Sequence, residues 1–219
     1  PIEFAVAAYR FGHSMIPQKV HIQKNGPTLD LFGPTLGSGP LADKKAVVDW
    51  HELTETSQNR GVQMAEKLDS KLASDLLDLP FIHGPSPSSL AVRNLLRGQA
   101  FQLPSGESIA HAMGRPEDEI EGVSDAVASM VGSGIDLSNG TPLWLYLLVE
   151  AERIGRESEP GLFEEGEGLG PVGGRIIAET FIGLLELDPR SFLAQNRSWD
   201  PQQDGIGVTS LGEMLTWQP

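Results

Sequence analysis

The chain has 219 residues, no cysteine, and a formal charge of −14 from 16 basic and 30 acidic side chains. With no thiol available, disulfide frameworks, cysteine-ligated zinc, iron–sulfur clusters and thiol nucleophiles are excluded, while any redox compartment is permitted. A pI near 4.7 argues against a nucleic-acid partner and against docking on anionic membranes, since both rely on Lys and Arg. A chain this long buries roughly 70% of its extended surface, so its core needs no staple. No apolar run approaches the about 18 residues of a membrane span; the best candidate, Leu143 to Val149, is far shorter.

In chain order, the pattern predicts a mainly α fold joined by Gly- and Pro-rich connections. Ile2 to Met15 reads as a first helix stopped by Pro17. His21 to Pro40 carries Gly33-Pro34 and Gly39-Pro40 and reads as a long loop or a hairpin. Ala46 to Leu53 is a short helix. Arg60 to Leu77 is a longer one, with Val62, Met64, Leu68, Leu72 and Leu76 near one face. Serines 86, 88 and 89 offer caps for a helix from about Leu90 to Gln99. Glu107 to Met113 closes on Gly114, and Glu117 to Val131 begins with the acidic residues that suit a helix N-terminus.

Thr141 and Pro142 fit the cap and first position of a helix that is apolar all round, with a short central strand as the alternative. Gly155 to Gly168 reads as an acidic loop and Pro171 to Leu187 as a second apolar helix. The tail after Asn196 reads as turn-rich and weakly structured. The acidic stretches Pro116 to Glu121 and Glu157 to Glu167 are solvated faces that name no partner. Nothing resembles a linker, so one domain is expected.

The chemistry is concentrated in Ala7-Ala8-Tyr9-Arg10-Phe11-Gly12-His13-Ser14. On a helix Arg10 and His13 share a face, and Gly12 leaves room for something flat. An imidazole beside a guanidinium suits a flat, acid-bearing ligand such as haem. The plainer alternative is a partly buried histidine bonded to backbone.

This run resembles the proximal haem helix of the animal-type haem peroxidases, the peroxidase/cyclooxygenase superfamily, including its bacterial members. The resemblance implies that His13 is the axial iron ligand and that Arg10 meets a haem propionate. About eighty residues on, Arg93-Asn94-Leu95-Leu96-Arg97-Gly98 with Leu103-Pro104 resembles the family segment that supplies an asparagine to the proximal histidine. Asn94 then steadies His13, and Arg97 contacts a propionate. The segments Lys67 to Leu72 with Leu79-Pro80, Thr141 to Trp144, and Leu169 to Arg175 are also similar, so the likeness runs from Phe4 to about Leu187.

The implied fold is the C-terminal part of the helical haem peroxidase domain, with residues 1–219 as one partial domain. The implied activity is reduction of hydrogen peroxide and oxidation of a halide or small organic donor, as in a response to oxidative stress. Haem, b-type or covalently modified, is the implied cofactor. Family catalytic residues of the distal face precede the proximal helix, so none is expected in this chain, and its partner is the N-terminal half of the domain. Calcium is a family possibility for which no ligands occur here; Asp136 to Gly140 is only a turn, and Asp200 to Glu213 lacks the spaced ligands of a calcium loop.

His21, His51, His83 and His111 read as surface or capping histidines. A second expectation, fatty-acid dioxygenase of the same superfamily, needs a tyrosine three residues before the histidine. Arg10 holds that position, with Tyr9 about 100° away on an α-helix. A third is a non-catalytic helical piece.

Overall fold

The computed structural model describes residues 1–36, 44–56, 61–200, 203 and 207–217. The chain is mainly α, with two short antiparallel hairpins among the described residues. It forms two compact units, one of residues 1–16 and 66–183, the other of the described residues in 17–65 and 184–219.

The first unit opens with α1 (Ile2–Val6). The single helix expected to Met15 is instead two pieces: Ala7 leaves helical geometry (φ −121°, ψ −67°), and Ala8–His13 tightens into a 3-10 helix. Ala7 and Ala8 are 1% and 0% exposed, so the break sets two small residues flat on the core.

The helix expected from Arg60 to Leu77 is corrected to a single turn, α2 (Ser74–Leu77); Arg60 itself lies outside the described residues. Tertiary partners claim the backbone that a helix would use. Glu66 N–H donates to the Met15 carbonyl at 3.0 Å, Leu68 N–H to the Gly166 carbonyl at 2.9 Å, and Ser70 N–H to the Glu152 carboxylate at 3.2 Å. Leu68 is buried while Met64 is 72% exposed, so the anticipated apolar face does not form.

The next helices follow their caps. Ser89 accepts from Val92 N–H at the start of α3 (Leu90–Ala100), and Ser105 accepts from Ser108 N–H at the start of α4 (Gly106–Ala112). Gly114, at φ +73°, closes that segment in the left-handed region, as its position predicts. Helix α5 (Glu117–Val131) has three carboxylates in its first turn.

Helix α6 (Leu143–Arg153) is buried at Leu143, Trp144 and every residue from Tyr146 to Ala151, which settles helix over strand. Thr141 does not cap it. Its N–H is held by both Glu107 carboxylate oxygens, at 2.8 and 3.1 Å, and Pro142 is the flanking residue. A Cβ on Gly106 would lie 2.0 Å from Tyr146 Cγ, so only glycine lets α4 meet α6 this closely.

The expected acidic loop is a hairpin, β3 (Arg156–Glu159) with β4 (Leu162–Glu164), turning at Gly161 with φ +79°. Both strands are largely exposed, so no alternation of apolar residues betrays them. Helix α7 (Pro171–Leu187) has the expected bounds. The core gathers α4, α5, α6, the 3-10 turn and the start of α7, with Val127, Leu148 and Val172 fully buried.

In the second unit, β1 (Lys19–His21) pairs with β2 (Thr28–Asp30), the hairpin alternative for that stretch, and Asn25 takes φ 57° in its turn. Gly37 to Pro40 fall outside the described residues. The expected helix from Ala46 to Leu53 is two 3-10 turns, Lys44–Ala46 and Trp50–Glu52. Asp49 accepts from His51 N–H at 3.1 Å between them, a local bond that competes with a continuous helix. A short helix α8 (Phe192–Gln195) ends at Asn196, and the tail beyond it holds one more helical segment among the described residues than expected, α9 (Leu211–Thr216), started by a capping box of Ser210 and Glu213.

One buried acid ties two helices of the first unit together. Glu150 of α6 is 2% exposed and accepts from Val172 N–H at 2.9 Å and Gly173 N–H at 3.1 Å, capping α7. Burial pushes its carboxyl up from 4.5 to about 7, against the pull of those two N–H groups. The folded chain thus keeps a proton that the unfolded chain releases first. Glu150's contribution to stability is full below about pH 4.5 and is lost as pH rises through about 7. Urea unfolding across that window is expected to show the wild type losing stability relative to Glu150→Gln; parallel curves would mean that Glu150 does not hold the extra proton.

Candidate functional site

A 3-10 helix has about three residues per turn, so residues three apart eclipse one another. The turn Ala8–His13 therefore puts Arg10 and His13 on one edge. Tyr9 stands on another edge, 58% exposed and stacked on Phe4 with ring centroids 5.0 Å apart. Gly12 leaves open space, since a Cβ there would meet nothing within 4 Å.

Helix α3 supplies the other half. Asn94 is 1% exposed, and its amide nitrogen lies 3.0 Å from His13 Nδ1. Arg97, one turn further along α3, is half-buried and close enough for its charge to act on both His13 and Arg10. The four residues singled out from the sequence, Arg10, His13, Asn94 and Arg97, are thus brought together. His13 is partly buried, as in the plainer alternative, but its partner is a side chain and not backbone.

The electrostatics of this cluster are one-sided. The His13 ring is held below the usual histidine range, first by burial, then by the Arg10 charge, then by Arg97. Arg10 is likewise lowered, by burial and then by Arg97. Among the described residues, no carboxylate forms an ion pair with Arg10 or Arg97. Arg10 Nε and Asn94 Oδ1 are buried with no hydrogen-bond partner. Buried polar groups nearly always find a partner, so two guanidiniums with an orphaned donor make a place for an anion.

The amide of Asn94 is coupled to the proton on His13. With its nitrogen toward the ring, Nδ1 accepts and the proton sits on Nε2. A half-turn of the amide brings Oδ1 to the ring, where it accepts from Nδ1–H and frees the Nε2 lone pair. Metal ligation requires the second arrangement.

Two supporting contacts carried no sequence signal of their own. Trp144 Nε1–H donates to the Arg10 carbonyl at 3.3 Å. Glu107 stays charged although partly buried: burial raises its carboxyl, and hydrogen bonds led by Thr141 bring it below the usual carboxylate range. Glu150 had a detectable signal, a lone acid closing the run Leu147-Leu148-Val149. Leu103 is half-buried against the core and its N–H donates to the Gly98 carbonyl at 3.0 Å, whereas Pro104 is exposed.

The other histidines have local partners or none. His21 faces Glu52 at 3.3 Å and the Gly26 carbonyl at 3.2 Å, His51 meets Thr56 Oγ1 at 2.6 Å, and His111 meets Glu117 at 3.5 Å. His83 is exposed. Among the described residues, no cluster of three or more His, Cys, Asp or Glu could hold a metal ion, so iron ligation would rest on a single imidazole and the ligand's own nitrogens.

No protein-family model matches this chain, and no curated protein matches it in sequence. Among solved structures it is similar to peroxidase A from Dictyostelium discoideum, with a TM-score of 0.57 and 20% identity, over 88% of this chain and 36% of that one. The chain thus has a mainly α, peroxidase-like fold and spans about a third of the length of its neighbour.

The charges give a direct test. Replacing Arg10 or Arg97 with Gln removes one repulsion from His13. NMR titration of its ring is expected to move up toward the ordinary value in both variants, more for Arg10→Gln. An unmoved midpoint in both would mean that solvent screens the guanidiniums.

Proposed function

We propose that this chain provides the proximal side of a haem peroxidase of the animal type, with His13 as axial ligand. The observation that carries the reading is the cluster itself: two guanidiniums without counter-ions beside an imidazole held by a buried amide. These residues fit haem, whose flat ring needs an axial nitrogen and whose propionates need cations. The peroxidase-like fold supports the reading.

When bound, the group supplies an iron that hydrogen peroxide oxidises and that a halide or organic donor reduces. His13 presents its Nε2 lone pair. With its amide turned to bring Oδ1 to the ring, Asn94 would keep the proton on Nδ1, which fixes the tautomer and the ring plane. As a neutral acceptor it leaves the imidazole well short of imidazolate. Arg10 and Arg97 would hold the two carboxylates, and the apolar body of α6 covers the turn beneath. Proton transfer to and from peroxide needs groups on the opposite face, apart from the four residues of this cluster. Arg10 on the histidine's edge, with Tyr9 turned aside, favours peroxidase over dioxygenase.

Haemin titration tests this. The chain is expected to shift the Soret band and saturate near one equivalent, and His13→Ala to abolish the shift. The Arg10→Gln/Arg97→Gln double variant is expected to weaken binding by about tenfold or more. A wild-type chain that leaves the haemin spectrum unchanged removes the reading.

Asn94→Asp offers a finer check. A charged acceptor pushes electron density onto the ring and favours ferric iron, so spectroelectrochemistry is expected to give a lower reduction potential. An equal or higher potential would take Asn94 out of this role.

A further inference from the structure

The turn that carries Arg10 and His13 is ill suited to holding itself. Six residues are long for a 3-10 helix, whose hydrogen bonds are poorly aligned and whose runs seldom exceed three or four residues. No side chain caps it, and Gly12 inside it adds backbone freedom. Something outside the turn must fix it.

Trp144 is placed to do so. It is 5% exposed on the first turn of α6, and its indole N–H reaches the Arg10 carbonyl at 3.3 Å. In 3-10 geometry that same carbonyl faces the N–H of the residue three further on, His13. Indole and His13 N–H therefore converge on one oxygen, which has a lone pair for each.

The donor is itself fixed. Three residues before Trp144, the Thr141 N–H is clamped by both Glu107 oxygens, and the Thr141 carbonyl accepts from Gly106 N–H at 2.9 Å. Ser105 and Pro142 add a bridge between the same two stretches. Hydrogen bonds and a short stretch of backbone thus join the start of α4, through the start of α6, to the Arg10–Phe11 peptide of the turn.

We propose that Trp144 is a positioning residue: its indole N–H, anchored from the start of α4, holds the 3-10 turn so that Arg10 and His13 face one ligand together. Its consequence for cofactor binding rests on the haem reading above; the hold on the turn does not.

Two substitutions separate the N–H from the ring. Trp144→Phe removes the donor and part of the packing. Benzothienylalanine at the same position keeps the bicyclic shape and replaces N–H with sulfur. In the full chain without haem, amide hydrogen exchange at His13 and Ser14 is expected to quicken by about three- to tenfold in both, as for loss of one hydrogen bond, with α5 unchanged. Haemin affinity is expected to fall by a similar factor. A benzothienylalanine variant with wild-type exchange overturns the proposal, as does one with faster exchange and wild-type haemin affinity. A wild-type chain that binds no haemin removes the haem reading, and exchange alone then decides the hold.

Discussion

A helix that is apolar on every side must be covered on every side, and that constraint on α6 organises the first unit. Leu147, Leu148 and Val149 are each 1% exposed or less, which leaves no face of this stretch for water. Helices α3, α4 and α5, the 3-10 turn and the start of α7 are its coverings. Two polar groups that α6 carries into this core, the Trp144 indole N–H and the Glu150 carboxyl, each meet backbone: one a carbonyl of the 3-10 turn, the other two N–H groups at the head of α7. Burial of a polar group is tolerated when it is bonded, and here each bond also fixes a neighbouring element.

Against that background the Arg10 cluster works against stability. Two cations beside a neutral ring, without a carboxylate, repel one another although the chain as a whole carries −14. Acidic side chains are plentiful, yet the ion pairs seen among the described residues use other cations, such as Glu119 with Arg115 and Glu164 with Arg156. Sequences that are locally consistent everywhere else tend to break their own rules where a ligand belongs. A dianionic ligand would relieve the repulsion, gaining the desolvated pairing that the folded chain withholds.

Much of this was legible in the sequence where local chemistry decides. The boundaries of α3, α5 and α7 follow from Ser89, from the acidic start at Glu117, and from Pro171. Local chemistry failed where distant backbone intervened. Residues 61 to 73 have helical composition, but Glu66, Leu68 and Ser70 donate to Met15, Gly166 and Glu152, partners that no local window contains. The hairpin at 156 to 164 was hidden for the opposite reason: both faces meet solvent, so period two never appears. His13 and Asn94 lie 81 positions apart, and no spacing rule connects them; their pairing came through family resemblance and then through geometry. Trp144 sat in an unbroken apolar run, where nothing marked its nitrogen.

Reading both arginines as solvated surface cations fails for Arg10 on one atom. Its Nε is buried without a partner, so water does not complete its hydrogen bonding as it would for an exposed guanidinium. Moreover, the peptide carrying that side chain is held at its carbonyl by Trp144. A donor fixed from behind and unsatisfied in front is preorganised, and preorganisation lowers the ordering cost that a ligand would otherwise meet on binding. Arg97, on a regular helix and half-buried, lacks this bracing from the backbone side. The two cations are therefore not equivalent: Arg10 belongs to the rigid floor with His13, and Arg97 completes the site from across it.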